Sequence, residues 1–215
     1  MIWTVIHIID ISLWCIIACS VAYVVFFAII SLFYDKEDRI ANHAAALKNK
    51  MTNFLILYPA YKEDRVIINA VEQFLLQEYP TSHYTVAVIS DHMQPETNDI
   101  LRKMPITLLT PTFEKSSKAK AMQYAINQLV GDKEEKDAGF VNFVVLDADT
   151  VVQPDFLHKL NILCNAGYEV IQCHRCAKNS NNDIAVLDGV SEEINNTIFR
   201  KAHNRLGLSS ALIGS

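Results

Sequence analysis

Hydrophobic and polar residues follow one pattern in the first part of this chain and another in the rest. Near the start, 24 consecutive residues, Ile11 to Tyr34, include no charged side chain. At a rise of about 1.5 Å per residue they form a helix of roughly 36 Å, which is enough to cross a bilayer. Positions 1–10 contain no Lys or Arg, unlike the start of a cleaved signal peptide. We therefore predict that residues 1–34 form a transmembrane helix.

The segment that follows, residues 35–52, is charged and rich in alanine, and we predict that it is a juxtamembrane linker. Its basic residues are Lys36, Arg39, Lys48 and Lys50, and the other side of the span has none. Positively charged residues collect on the cytoplasmic side of a span. We therefore expect a cell-membrane protein with one N-terminal span in these residues, whose remaining domain lies in the cytoplasm.

From residue 53 onward, short apolar runs alternate with segments of helical periodicity, which indicates a mostly parallel sheet with helices on both faces. The predicted strands are 54–58, 84–90, 106–109, 141–146 and 168–172. The predicted helices begin near Val66, near Ser116 or Ser117, at Phe156 and at Ser191, and the last one ends at Gly207. Residues 211–215 are apolar, so we expect an α/β domain over 53–215 that is incomplete at its C-terminus.

Composition narrows the class of partner. The net charge is -5, the pI is near 5.8, and no stripe of basic and aromatic residues occurs. A protein that binds the phosphate backbone normally has a basic face, so we expect no nucleic acid partner.

Polar residues follow four of the predicted strands, where ligands bind in parallel sheets. These groups are Pro59 to Glu63, Asp91 with His92, the loop with Lys115, Lys118 and Lys120, and the pair Asp147 and Asp149. Lys118 and Lys120 fall in the first turn of a helix, where the helix dipole disfavours positive charge. A bound diphosphate would compensate for them, although lysines that point into water remain the alternative.

Asp147 and Asp149 are oxygen ligands suited to Mg²⁺ or Mn²⁺, which bind through one or two carboxylates together with substrate phosphates. An acidic turn that caps the next helix is the alternative. Asp155, which follows Pro154, fits the capping position better. That assignment leaves the other two acids available for a metal.

Four segments, FLILYPAYKED, VAVISDH, KAKAMQYAI and VVLDADTVVQPDFL, occur in this order. From about Asn53 to the end, the chain resembles the nucleotide-sugar half of family 2 glycosyltransferases of the GT-A fold. The resemblance implies that the uracil and ribose pocket is lined by Pro59, Ala60, Tyr61 and Glu63, with Asp91 near the base. It also implies that Lys118 contacts the diphosphate, and that Asp147 and Asp149 form the D-x-D element, whose second acid holds the metal.

Two departures accompany the resemblance. Gln123 stands where the family usually has Asn, and the acidic cluster after the second strand is reduced to Asp91, followed by His92. An E-D pair with the general base and a Q-x-x-R-W motif are expected downstream of Asp149 but do not occur there. We therefore expect the general base beyond Ser215.

The reaction that the resemblance implies is metal-assisted transfer, with inversion, of a sugar from a nucleotide-diphosphate donor, expected to be a UDP-sugar. The acceptor is expected to be a glycan or a lipid-linked molecule at the inner membrane face. Two alternatives stay open. A HAD-type phosphohydrolase would use Asp147 as nucleophile and Asp149 as acid and base. A membrane-anchored protein could also bind the nucleotide-sugar without catalysis.

Overall fold

The computed structural model of the protein describes residues 2–33, 50–130, 142–176 and 183–208. Within them the chain divides into two compact units. One contains residues 50–169, and the other contains the residues up to 33 together with those from 170 onward. Most of the predicted juxtamembrane linker and the apolar segment 211–215 lie outside the described residues.

The larger unit is built around a four-stranded, fully parallel sheet. Its strands are β1 (Phe54–Tyr61), β2 (Tyr84–Asp91), β3 (Thr107–Leu109) and β4 (Asn142–Val145), in the spatial order β3-β2-β1-β4. Its helices are α2 (Ile67–Phe74), α3 (Pro95–Leu101), α4 (Lys118–Leu129) and α5 (Phe156–Asn165). A short 3₁₀ turn, Thr81–His83, precedes β2.

Strand β1 lies in the middle of the sheet because its side chains are apolar on both faces. Leu55 and Leu57 pack with Ala121 and Ala125 of α4 on one face. Side chains alternate along a strand, so Tyr58 points to the other face, where its ring meets Phe74 of α2 edge-on at 6.1 Å. The predicted parallel sheet with helices on both faces is confirmed.

One predicted strand is absent from the described residues, whereas one predicted helix end is present. The predicted strand over 168–172 is wrong, because residues 168–176 form no strand in the structure. An alternating apolar pattern makes a strand only where a neighbouring strand supplies backbone hydrogen bonds. None of the described strands pairs with residues 168–172, which follow α5 and the turn at Gly167, with φ +89°. The predicted end of the last helix at Gly207 is confirmed. Gly207 has φ +69°, and its N–H donates to the Asn204 carbonyl at 3.0 Å.

The second unit contains α1 (Ile2–Ser31), α6 (Asp183–Ile194), a π-helical segment, Asn195–Lys201, and α7 (Ala202–Arg205). The last helix therefore begins earlier than Ser191 and changes its winding on the way. Helix α1 is a 30-residue helix, long and apolar enough to cross a membrane. Arg205 Nη1 donates to the carbonyl of Ile30 at 2.7 Å, which satisfies one of the backbone acceptors at the end of α1.

Candidate functional site

The carboxyl ends of β1 and β2 lie side by side because the strands pair in register to their last residues. Tyr61 is opposite Asp91, and the Lys62 N–H donates to the Asp91 carbonyl at 3.2 Å. Lys62 and His92, the next residue of each strand, both take the left-handed conformation, with φ of 55° and 56°. They are the described non-glycine residues with positive φ. Such backbone is uncommon outside glycine and tends to occur at functional sites.

Further bonds join the two turns. The Glu63 N–H donates to Met93 Sδ at 3.2 Å, and the Gln94 N–H donates to Asp64 Oδ1 at 2.8 Å. The Tyr61 ring is about half exposed and lies at the edge of the sheet beyond the buried Ala60. These contacts hold the predicted pocket residues after β1 against those after β2. The structure therefore brings Pro59, Ala60, Tyr61, Glu63 and Asp91 to one edge of the sheet.

Asp91 and His92 form a pair that the sequence analysis did not identify. Asp91 Oδ1 and His92 Nδ1 are 2.6 Å apart. The Asp91 side chain is 4% exposed and that of His92 is 46% exposed. The His92 ring meets the Tyr61 ring edge-on, at 5.6 Å between centroids. The only sequence signal for this arrangement was the departure from the family's acidic cluster at His92.

The N-terminus of α4 supplies the predicted lysines. Ser117 is the N-cap, and its hydroxyl accepts from the Lys120 N–H at 3.2 Å, which confirms one of the two predicted starts. Lys120 Nζ reaches back to the Lys115 carbonyl at 2.9 Å. Lys118 Nζ instead forms an ion pair with Asp147. The first turn of α4 and the end of β4 therefore meet, although 29 positions separate the two residues in sequence.

The two acids after β4 have different surroundings. The Leu146 N–H donates to the Leu57 carbonyl at 3.0 Å, so Asp147 directly follows the last backbone bond to β1. The Thr150 N–H then donates to the Asp147 carbonyl at 2.9 Å and closes a turn. Asp149 is exposed on this turn, and its carboxylate has no hydrogen bond or ion pair within the described residues. Asp149 is therefore the more exposed of the two carboxylates, and Asp147 is the one that Lys118 engages.

The described carboxylates would give a metal ion only part of its ligands. Among the described residues, no three His, Cys, Asp or Glu side chains come close enough to hold an ion on their own. Mg²⁺ and Mn²⁺ do not require such a cage, since one or two carboxylates and phosphate oxygens can suffice. Asp149, with Asp147 beside it, offers that partial set.

The expected cap at the start of α5 is corrected by the structure. Asp155 does occupy the N-cap position, but its side chain makes no capping hydrogen bond. One of its carboxylate oxygens pairs with Lys159 at 2.8 Å. Gln77 does the capping from 80 positions away, since its Oε1 accepts from the Leu157 N–H at 3.0 Å. Its amide also donates to the Gln153 carbonyl at 2.6 Å, which fixes the loop between Asp149 and α5.

A family model described as "Glycosyltransferase like family 2" matches residues 52–208. The chain belongs to this family. Together with the parallel sheet, the match confirms the predicted resemblance and fold class. Residues 52–208 are therefore a domain of an enzyme family. The phosphohydrolase alternative gains no support from it. No curated protein matches the chain in sequence.

Solved structures of glycosyltransferases also match the family 2 domain in part. TarS 1–349 from S. aureus is 18% identical, with a TM-score of 0.40, and the match covers 51% of this chain and 31% of that one. The same protein in complex with UDP-GlcNAc is 17% identical (TM-score 0.43, 60% and 39% covered). The mannosyltransferase PcManGT from Pyrobaculum calidifontis, in complex with GDP-Man and Mn²⁺, is 18% identical (0.41, 68% and 43%). This chain thus spans between 31% and 43% of the length of these three chains.

Proposed function

We propose that the family 2 domain binds a UDP-sugar with Mg²⁺ or Mn²⁺ and takes part in transferring the sugar to a glycan or lipid-linked acceptor, with inversion. The observation that carries the proposal is the meeting of Lys118 with Asp147, next to the exposed Asp149, at the carboxyl edge of the sheet. Cationic and anionic groups side by side suit a metal diphosphate, which carries charges of both signs. The family match supports the reaction class.

The strand order supports this position for the ligand. The chain runs from β1 to β2 and β3 on one side, and β4 then returns to the other side of β1. In open parallel sheets, ligands bind at such a switch point, outside the carboxyl ends of the strands. Here the switch lies between Pro59 to Tyr61 and Asp147 to Asp149. A nucleotide on the first group would place its diphosphate near the second.

Each residue would then have one task. The Lys118 ammonium and the N–H groups of the first turn of α4 would attract the diphosphate and stabilise the charge that grows on it as the sugar leaves. Asp149 would hold the metal, and Asp147 would keep Lys118 in place. The metal, when bound, would neutralise the departing diphosphate. We propose that a carboxylate, acting as general base, takes the acceptor proton.

The membrane part of the proposal rests on α1. Its 30 residues span about 45 Å, more than the roughly 30 Å of a bilayer's hydrocarbon core. Apart from Phe27, its described side chains are not buried within the structure. We propose that α1 spans the membrane and that the family 2 domain lies on its cytoplasmic side. Protease treatment of sealed right-side-out and inverted vesicles would test this, because only inverted vesicles should lose the domain.

The donor site is tested by titrating UDP into the full chain in detergent, with and without Mn²⁺, by calorimetry. We expect binding that requires Mn²⁺ and that weakens about 100-fold in Asp149→Ala, since the metal loses its accessible carboxylate. Asp99→Ala is the matched control, because Asp99 is an exposed acid that pairs only with Arg102 on α3 among the described residues. UDP affinity that is the same with and without Mn²⁺, and the same in Asp149→Ala, would overturn the proposed metal site.

The same preparation separates the two alternatives. Release of phosphate from a simple phosphomonoester, lost in Asp147→Asn, would indicate the phosphohydrolase. Tight UDP-sugar binding without sugar transfer or hydrolysis would indicate a binder without catalysis.

A further inference from the structure

We propose that His92 presents the hydrogen-bonding group that recognises the nucleobase, and that Asp91 is a positioning residue behind it. The base would offer an N–H of the kind found at N3 of uracil, and Nε2 of His92 would accept it. This inference rests on the proposed function, because it assigns a residue within the same donor site. It departs from the expectation that Asp91 itself lies nearest to the base.

Burial distinguishes the two side chains. The Asp91 side chain is 4% exposed, whereas that of His92 is 46% exposed. A ligand arriving at the carboxyl edge of the sheet therefore meets the imidazole before the carboxylate. In addition, Asp91 Oδ1 is already engaged by His92 Nδ1 at 2.6 Å. The imidazole nitrogen that Asp91 does not engage is Nε2.

The bond to Asp91 selects the tautomer of a neutral His92 imidazole. A carboxylate can only accept hydrogen bonds, so Nδ1 must carry the proton. In a neutral imidazole with Nδ1 protonated, Nε2 is a hydrogen-bond acceptor. An acceptor suits the N3–H of uracil. It does not suit the same position of cytosine, where N3 has a lone pair instead of a proton.

The backbone holds the ring in place. His92 has φ 56°, and the preceding carbonyl, that of Asp91, accepts from the Lys62 N–H at 3.2 Å. A left-handed conformation at a residue with a Cβ is strained and persists where its surroundings fix it. The half-exposed Tyr61 ring lies edge-on to His92 at 5.6 Å. Tyr61 thus lies beside the imidazole, and Lys62 Nζ lies over the Tyr61 ring, 5.1 Å from its centroid.

His92→Asn is the informative variant, because asparagine tolerates positive φ and its amide can still donate to Asp91. The substitution removes the part of the ring that lies away from Asp91, including Nε2. His92→Gln extends an amide oxygen toward the former position of Nε2 and serves as the conservative rescue. His83→Asn is the matched control, since His83 also bonds through Nδ1, to Asn53 Oδ1 at 2.7 Å, but precedes β2 instead of following it.

The experiment titrates UDP, CDP and 3-methyl-UDP, which lacks the N3 proton, into the full chain with Mn²⁺. The unmodified protein and His83→Asn should prefer UDP over both analogues by roughly five- to tenfold, the contribution of one hydrogen bond. His92→Asn should bind all three almost equally, and His92→Gln should regain part of the preference.

The outcomes are distinct. Normal UDP binding together with an undiminished preference in His92→Asn would overturn the inference and leave the proposed function standing. If the unmodified chain binds no UDP, the proposed donor is wrong, and the assignment of His92 falls with it.

Discussion

Polar groups are hydrogen-bonded to one another at one edge of the sheet, and several polar side chains are exposed or partly exposed at the other. At the amino edge, Tyr79 and Thr52 exchange two hydrogen bonds, at 2.9 and 3.0 Å, and Tyr79 is buried. At the carboxyl edge, Tyr61 and Asp149 are exposed, and Lys118 and His92 are only partly covered. Polar groups that satisfy one another stabilise a fold, whereas exposed groups held by a fixed backbone can bind something else. We therefore expect substitutions at the first edge to affect stability and those at the second to affect binding.

The largest expected effect is the loss of stability in Tyr79→Ala, which is compared with Tyr61→Ala at the opposite edge of the sheet. Tyr79→Ala removes two hydrogen bonds and the edge-on contact with Phe54 at 5.7 Å, so we expect a loss of about 3–5 kcal/mol in the free energy of unfolding. Tyr61→Ala should cost under about 0.5 kcal/mol but weaken UDP binding about tenfold. Denaturant unfolding and calorimetry measure the two effects. The comparison of the edges would be wrong if Tyr61→Ala unfolded the domain.

An intermediate effect is expected at the first turn of α4. Lys118→Gln should weaken binding of UDP with Mn²⁺ about tenfold, because it removes a cation from the diphosphate site. Its effect on stability should be small, since its partner Asp147 remains partly solvated.

Lys120→Gln is the control for Lys118→Gln, because Lys120 lies in the same turn but reaches back to the Lys115 carbonyl. Raising the salt concentration should weaken UDP binding by the unmodified protein more than by Lys118→Gln. Equal losses of affinity in the two variants would indicate that only the general positive charge matters.

The smallest effects should come from removing single hydroxyl groups. The Tyr58 hydroxyl is buried and has no hydrogen-bond partner among the described residues. Tyr58→Phe should therefore stabilise the domain by about 1 kcal/mol, whereas Tyr79→Phe should destabilise it by about as much. Thermal melts of the two variants, each compared with the unmodified chain, measure both. If both variants were stabilised, or both destabilised, the expected difference between an unpaired and a hydrogen-bonded buried hydroxyl would be wrong.

Tyr58 also predicts a pH dependence. Burial raises the pKa of its phenol above the ordinary value of 10.0. The folded protein then keeps a proton that the unfolded chain loses, so stability should fall as the pH rises above about 10. In Tyr58→Phe this fall in stability should be shallower, because the contribution of Tyr58 is lost. A smaller fall should remain, because burial also raises the pKa values of Tyr79 and Tyr84. Melting temperatures between pH 8 and 11 measure the slope. Parallel curves for the two proteins would contradict this role of Tyr58.

Sequence alone determined the features that depend on neighbouring residues. The apolar run at Phe54 predicted a strand, Ser116 or Ser117 predicted a helix start, and Gly207 predicted a helix end. Asp147 was correctly predicted to follow the fourth strand, which ends at Val145. These predictions succeed because alternation, capping and left-handed glycine act over a few positions.

Only the tertiary structure decided which distant residues meet. It paired Lys118 with Asp147, gave the cap of α5 to Gln77 instead of Asp155, and left residues 168–172 without a strand. It also buried Asp91 behind His92, although the two are neighbours in sequence. The physical reason is that strand order and burial set the partners of a side chain. Both are properties of the packed sheet, which a local pattern of residues does not contain.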